Sequence, residues 1–148
     1  MPVETTLILF KPDAVEKNLV GEVLKRYQAE GFIIRGLKMM QLDESLLTEH
    51  YAHITDRPFY PRLVQFMTSA PVIALALEGE NVISRVRDIL GATDSPTAEL
   101  GSVRREFGIN SMFNICHASD SPEAAEVELK RFFKAGELFS FGAQDYLK

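Results

Sequence analysis

Four apolar runs limit what this chain can fold into: Thr5 to Phe10, Phe32 to Leu42, Pro71 to Leu77 and Met112 to Cys116. Each is short or alternates, and is bounded by proline, glycine or polar residues, so each reads as a strand. In the second run the alternation changes phase near Gly36, which predicts a bulge. Helical spacing fills the gaps between the runs. Lys11-Pro12-Asp13 suits a first helical turn, and Val20, Val23, Leu24 and Tyr27 recur before a stop at Gly31. Asp43 suits the N-cap of a helix carrying Leu46, Leu47 and Tyr51, and a second short helix takes Tyr60, Leu63, Val64 and Met67. Val82, Ile83, Val86, Ile89 and Leu90 form one face of a helix closed by Gly91, and Ser121-Pro122 starts the last helix. From Ala92 to about Asn110 nothing is periodic, as in a long functional loop.

The order βαβ, helices, β, helix, β, helix predicts an α+β, ferredoxin-like (split βαβ) fold. Its antiparallel four-stranded sheet carries helices packed on it, with a long loop before the last strand. With 148 residues and no repeat, linker or low-complexity tract, a single domain over 1–148 is expected. No apolar run approaches the roughly 20 residues of a membrane span. No signal peptide precedes Leu7-Ile8-Leu9-Phe10, and the single cysteine, Cys116, excludes an intramolecular disulfide. A cytoplasmic protein without membrane contact is expected. The net charge of −5 leaves no bulk attraction to nucleic acid as a main ligand, so an anionic ligand must be held by a local cluster of cations.

The run Asn114-Ile115-Cys116-His117-Ala118-Ser119-Asp120-Ser121 places a histidine at the end of an apolar strand beside a helix start. In the final helix Ser121, Ala124, Ala125, Glu128 and Phe132 share one stripe, so Glu128 lies on or beside the face turned to the sheet. A carboxylate there needs a partner, and His117 on the adjacent strand is a natural one. Bonded to one ring nitrogen, Glu128 would fix the tautomer and leave the other nitrogen as a nucleophile. Lys11, Arg87 and Arg104, with the Thr93 hydroxyl, are the cations and donor that phosphate oxygens require. Phe59, after Arg57-Pro58, could stack on a base at a cleft mouth. His50 and His53 have a spacing compatible with a metal pair but no third ligand, so a solvated helix face is expected and no protein metal site. Neither a Walker A loop, nor Gly-x-Gly-x-x-Gly, nor a Gly-x-Ser-x-Gly motif is present.

From Leu7 to about Leu138 the chain resembles the nucleoside diphosphate kinase family. Asn114-x-x-His117-x-Ser119-Asp120 carries the resemblance, with Phe10-Lys11-Pro12-Asp13, Tyr51, Arg57-Pro58-Phe59, Ser69-Ala70-Pro71-Val72, Gly91-Ala92-Thr93, Gly101-Ser102-Val103-Arg104 and Glu128 in order. The resemblance implies an enzyme that moves the γ-phosphoryl group of a nucleoside triphosphate to a nucleoside diphosphate, in a ping-pong cycle through phosphohistidine at His117. It gives Glu128 the orienting role with Ser119 nearby, and puts Tyr51 beside the reacting group. Lys11, Arg87, Thr93 and Arg104 hold the phosphates; Asn114 and Lys11 contact the sugar; Phe59 stacks on the base, with Leu63 also counted as nucleotide-binding. Mg²⁺ would be held mainly through the nucleotide phosphates, and a homo-oligomer, hexamer or tetramer, is implied. The chain departs from the family's usual pattern at Ala118 (glycine), Ser102 (threonine), Arg105-Glu106 (Gly-Asp), Phe113 (arginine) and Ser111 (an apolar residue). Pro96 also falls one position late.

Overall fold

Alternating side chains on four strands build two cores on opposite faces of one sheet. The structure, a computed structural model, describes residues 2–142 and 145–147. Strands β1 (Val3–Phe10), β2 (Ile33–Met40), β3 (Val72–Glu80) and β4 (Cys116–Ala118) pair antiparallel in the order β2-β3-β1-β4. Helices α1 (Pro12–Glu16) and α2 (Val20–Ala29) join β1 to β2, and α3 (Glu44–His50) and α4 (Tyr60–Met67) join β2 to β3. Between β3 and β4 come α5 (Val82–Leu90) and α6 (Val103–Phe107), and α7 (Pro122–Phe132) follows β4. This is the α+β, ferredoxin-like arrangement.

In β1, Ile8 and Phe10 pack on one side with Val23, Tyr27, Val86 and Leu90. Leu7 and Leu9 pack on the other with Leu47, Leu63, Met67, Leu129 and Phe132. A strand covered on both faces reads as an unbroken apolar run, which is why Thr5 to Phe10 does so. The pairing also places the histidine. His117 lies opposite Leu9 and so shares its face, toward α7, while Cys116 and Ala118 join the Ile8 and Phe10 core.

The expected caps form: Asp43 accepts from the Leu46 amide at 2.8 Å, and Ser121 accepts from the Ala124 amide at 3.1 Å. The expected bulge falls between Ile34 and Gly36. Elsewhere the structure departs from the sequence reading. The segment after β1 is two helices, because Asn18 turns the chain with φ 58°. Strand β3 continues past Leu77 to Glu80, and the Phe32 ring occupies the space a side chain at Gly79 would need. The aperiodic segment 92–110 holds a one-turn element at Ser95–Thr97 and α6, which is too short to show a period. The last strand starts only at Cys116. Residues 112–115 run as irregular chain without strand pairing, and Ile115, with φ 78°, lies outside the strand region. Among the described residues no helix is long and apolar enough to cross a membrane.

Gly91 ends α5 with φ 89° and ψ 178°, a conformation closed to other residues, and a methyl group there would run into Ser102. Gly91→Ala should therefore destabilise the fold by about 2 kcal/mol in urea unfolding; a loss under about 0.5 kcal/mol would contradict this packing.

Candidate active site

The end of β1, the α3–α4 segment, the loop 110–114, Arg87 of α5, Arg104 of α6 and the middle of α7 at Glu128 surround a cleft of about 630 Å³. Lys11, Tyr51, Phe59, Leu63, Arg87, Thr93, Arg104, Asn114, His117 and Glu128 all line it. Ser119 does not; it is buried behind Glu128, where its hydroxyl donates to Glu128 Oε1 at 2.8 Å and accepts from the Leu7 amide at 3.2 Å.

At the centre, His117 Nε2 lies 2.9 Å from Glu128 Oε1. A carboxylate only accepts, so Nε2 carries the proton and Nδ1 keeps its lone pair. Burial pushes the Glu128 carboxyl up, but the His117 bond and charge and the Ser119 hydroxyl outweigh it, and the net shift is below the usual carboxylate range. The group is an anion at neutral pH, fixed to one ring nitrogen. No bond within the described residues takes up Nδ1. Burial holds the Tyr51 phenol well above its ordinary range, so the cleft wall beside the ring offers a neutral hydroxyl.

Two of the three cations, Lys11 and Arg104, are buried and held by hydrogen bonds. Arg104 lies on α6 and is buried, where Nε and both terminal nitrogens donate to the carbonyls of Asn114 (3.3 Å), Gly91 (3.0 Å) and Cys116 (2.7 Å). Two of its five N–H groups remain. Lys11 is also buried and donates to Asn114 Oδ1 at 2.7 Å. Burial, then the Arg104 charge, lowers its pKa to about 8. The Asn114 amide donates to the Thr93 and Ser111 carbonyls, both at 3.0 Å, so it holds the loop that presents Thr93. Arg87 is exposed, with one bond to the Ala118 carbonyl at 3.3 Å, and its remaining donors are free for a ligand. Phe59 stands 46% exposed on the cleft wall.

One expectation fails outright. His50 is not on a solvated helix face but only 6% exposed, edge-on to His117 with ring centroids 4.6 Å apart. Arg131 donates to its Nδ1 at 2.9 Å, and burial first, then the His117 charge, lower its pKa to about 3. His50, His117 and Glu128 each offer a ligand atom within 4.8 Å of the others, the geometry of a possible metal group. The Arg131 bond opposes that use, because it leaves the His50 proton on Nε2, the atom a metal would need. The sequence offers one weak hint of this burial, Leu47 three residues earlier on the same helix face, and it does not outweigh the polar character of a lone histidine. Arg62 and Met112 also line the cleft and were not singled out, and Asp120, part of the motif but given no role, lines it too.

Fold and cleft together define a phosphotransferase for nucleotides, with a carboxylate-held imidazole facing buried cations and an exposed aromatic ring on the wall. A family model described as nucleoside diphosphate kinase matches residues 4–138. The nucleoside diphosphate kinase of Trichormus variabilis is 44% identical over 138 residues, covering 93% of this chain and 93% of its own. The crystal structure of the Aquifex aeolicus nucleoside diphosphate kinase superposes with a TM-score of 0.88 at 45% identity, covering 93% of this chain and 100% of that one. The Halobacterium salinarum nucleoside diphosphate kinase in complex with CDP superposes with a TM-score of 0.93 at 36% identity, over 99% of this chain and 97% of that one. This chain belongs to the nucleoside diphosphate kinase family.

Lys11 gives the site a pH dependence with a definite sign. Its folded pKa lies below the ordinary lysine value, so the ammonium is present below about pH 8 and lost above it. Anionic ligands favour the protonated form, so ADP affinity should fall roughly three- to tenfold between pH 7 and pH 9. Calorimetric titration across that range checks this, and Lys11→Arg, which keeps its charge, should flatten the profile. A flat wild-type profile would mean that Lys11 does not reach the ligand.

Proposed function

We propose that this chain transfers the γ-phosphoryl group of a nucleoside triphosphate to a nucleoside diphosphate through a phosphoryl group carried on Nδ1 of His117. The observation that carries this reading is the 2.9 Å bond from His117 Nε2 to Glu128, which leaves Nδ1 unbonded in a cleft lined by Lys11, Arg87 and Arg104. In the first half-reaction the Nδ1 lone pair forms a bond to the γ-phosphorus. The bond from that phosphorus to the bridging oxygen breaks, and the nucleoside diphosphate leaves with the electron pair. The imidazole becomes cationic as it bonds to phosphorus, and the Glu128 carboxylate stabilises that charge. A second nucleoside diphosphate attacks the phosphohistidine by the reverse path, and Nδ1 recovers its lone pair.

Catalysis of this kind is mostly positioning and charge neutralisation. Arg87 and the Thr93 hydroxyl have free donors for the phosphates. Arg104 adds its charge and its two remaining N–H groups while fixing the approach to β4. Lys11 has one N–H beyond those given to Asn114 and the Met112 carbonyl, for the sugar or the phosphates. Asn114 has only a lone pair of Oδ1 left for the sugar, so its main work is to hold Lys11 and the Thr93 loop. Phe59 stacks on the base and Leu63 packs beneath. Tyr51 offers its hydroxyl beside the reacting group. The donor set fits Mg²⁺ brought in on the nucleotide: Glu128 is committed to His117 and Ser119, and exposed Asp120 is a cleft carboxylate that could hold the ion through water. The ion would neutralise phosphate charge.

Residues 1–148 are taken as one domain, since both cores pack on the same sheet. The protein is read as a cytoplasmic homo-oligomer, hexamer or tetramer. Exposed Ile33, Leu37 and Met39 on edge strand β2, and Leu100 and Ile109 in the long loop, are apolar surface for contacts between copies.

The test uses Mg·ATP labelled in the γ-phosphate, followed by a GDP chase. An acid-labile, base-stable label should form on the protein and move to GDP. His117→Ala should abolish it, and Glu128→Gln should slow its formation on the order of 10²-fold. Nucleotide binding without any label would make the chain a binding protein instead, and an unchanged rate in Glu128→Gln would remove the orienting role.

A further inference from the structure

The cleft holds one cation that the phosphates do not account for. Arg62 lies on α4, one helical turn from Phe59, and lines the same wall. Its guanidinium sits 5.9 Å from the centroid of Phe113, whose ring meets Phe66, also on α4, edge-on at 4.6 Å. Among the described residues no carboxylate, carbonyl or hydroxyl accepts from Arg62. Arg57 shares this but does not line the cleft, whereas Arg26, Arg35, Arg85, Arg87, Arg104, Arg105 and Arg131 all have such acceptors or ion-pair partners. Five N–H groups in a planar fork are therefore presented at the end of the cleft marked by Phe59.

Given the nucleotide reading of the cleft, on which this inference rests, that end is where the base stacks. We propose that Arg62, steadied over Phe113, reads the edge of the base and favours guanine. Guanine offers two adjacent acceptors, O6 and N7, which match a guanidinium fork. Adenine pairs its N7 with an amino donor, cytosine presents an amino group, and uracil has a single exposed carbonyl on the corresponding edge. A fork of donors facing those edges forms fewer bonds or meets another donor. Phe113 serves as the support: its ring face attracts the cation and limits the conformations of a long, otherwise exposed side chain.

Calorimetric titration with GDP, 7-deaza-GDP and CDP tests this without requiring turnover. The wild-type protein should bind GDP more tightly than 7-deaza-GDP, which lacks the N7 acceptor. Arg62→Gln should lower the GDP-to-CDP affinity ratio roughly fivefold, the low end for a bidentate pair because the group is exposed. It should also remove the difference between GDP and its deaza analogue. Phe113→Leu should shift the ratio the same way by a smaller factor. Equal loss for all three ligands in Arg62→Gln would assign the residue to the phosphates and overturn the proposal, as would an unchanged ratio. Failure of the histidine labelling would sink the kinase reading while leaving these binding ratios to decide the role of Arg62.

Discussion

The active site depends on how the chain approaches its shortest strand. Ile115 is held at φ 78°, a conformation that costs a β-branched residue of order 1–3 kcal/mol. It persists because the surroundings over-determine it. The Ile115 amide donates to Asp13 Oδ2 at 3.1 Å, its carbonyl accepts from the Lys11 amide at 2.9 Å, and Arg104 takes the carbonyls on either side. Those bonds tie the end of β1, α6 and the start of β4 into one unit. Three of the cleft's residues, Lys11, Arg104 and Asn114, belong to it.

Once the turn is set, β4 can be only three residues long and still orient a catalytic side chain. Pairing with Leu9 turns His117 to the face covered by α7, and Ser119 anchors the next turn of chain to β1 through Leu7. Glu128 meets both from the helix. Two hydrogen bonds to one oxygen of a half-buried carboxylate fix the ring more firmly than either would alone. Behind the ring, His50 is neutral because it is buried and because Arg131 occupies its Nδ1. No imidazolium at His50 therefore competes for Glu128 at neutral pH.

Much of this was legible in the sequence. Strands buried on both faces announce themselves as apolar runs, and capping residues such as Asp43, Ser121 and Gly91 mark where helices begin and end. Glu128 was readable as a carboxylate on a core-facing stripe that needed a partner. What could not be read follows from short range and context. Five residues of α6 carry no period, and nothing in Met112 to Ile115 signals a residue forced into the left-handed region. Arg104 looked like a loop charge because its three carbonyl partners come from three separate segments. His50 looked solvated because a lone histidine carries no hydrophobic weight in a periodic pattern. Its burial is set by Phe132 and His117, which arrive from elsewhere in the chain and pack on it beside its neighbour Tyr51.

The central claim is that Glu128 reserves Nε2 and so makes Nδ1 the nucleophile. The most direct measurement is the coupling between ³¹P and ¹⁵N in protein labelled at its histidine nitrogens and phosphorylated with Mg·ATP. The account predicts coupling to Nδ1 of a single histidine, lost in His117→Ala. Coupling to Nε2, or to a ring other than His117, would contradict it.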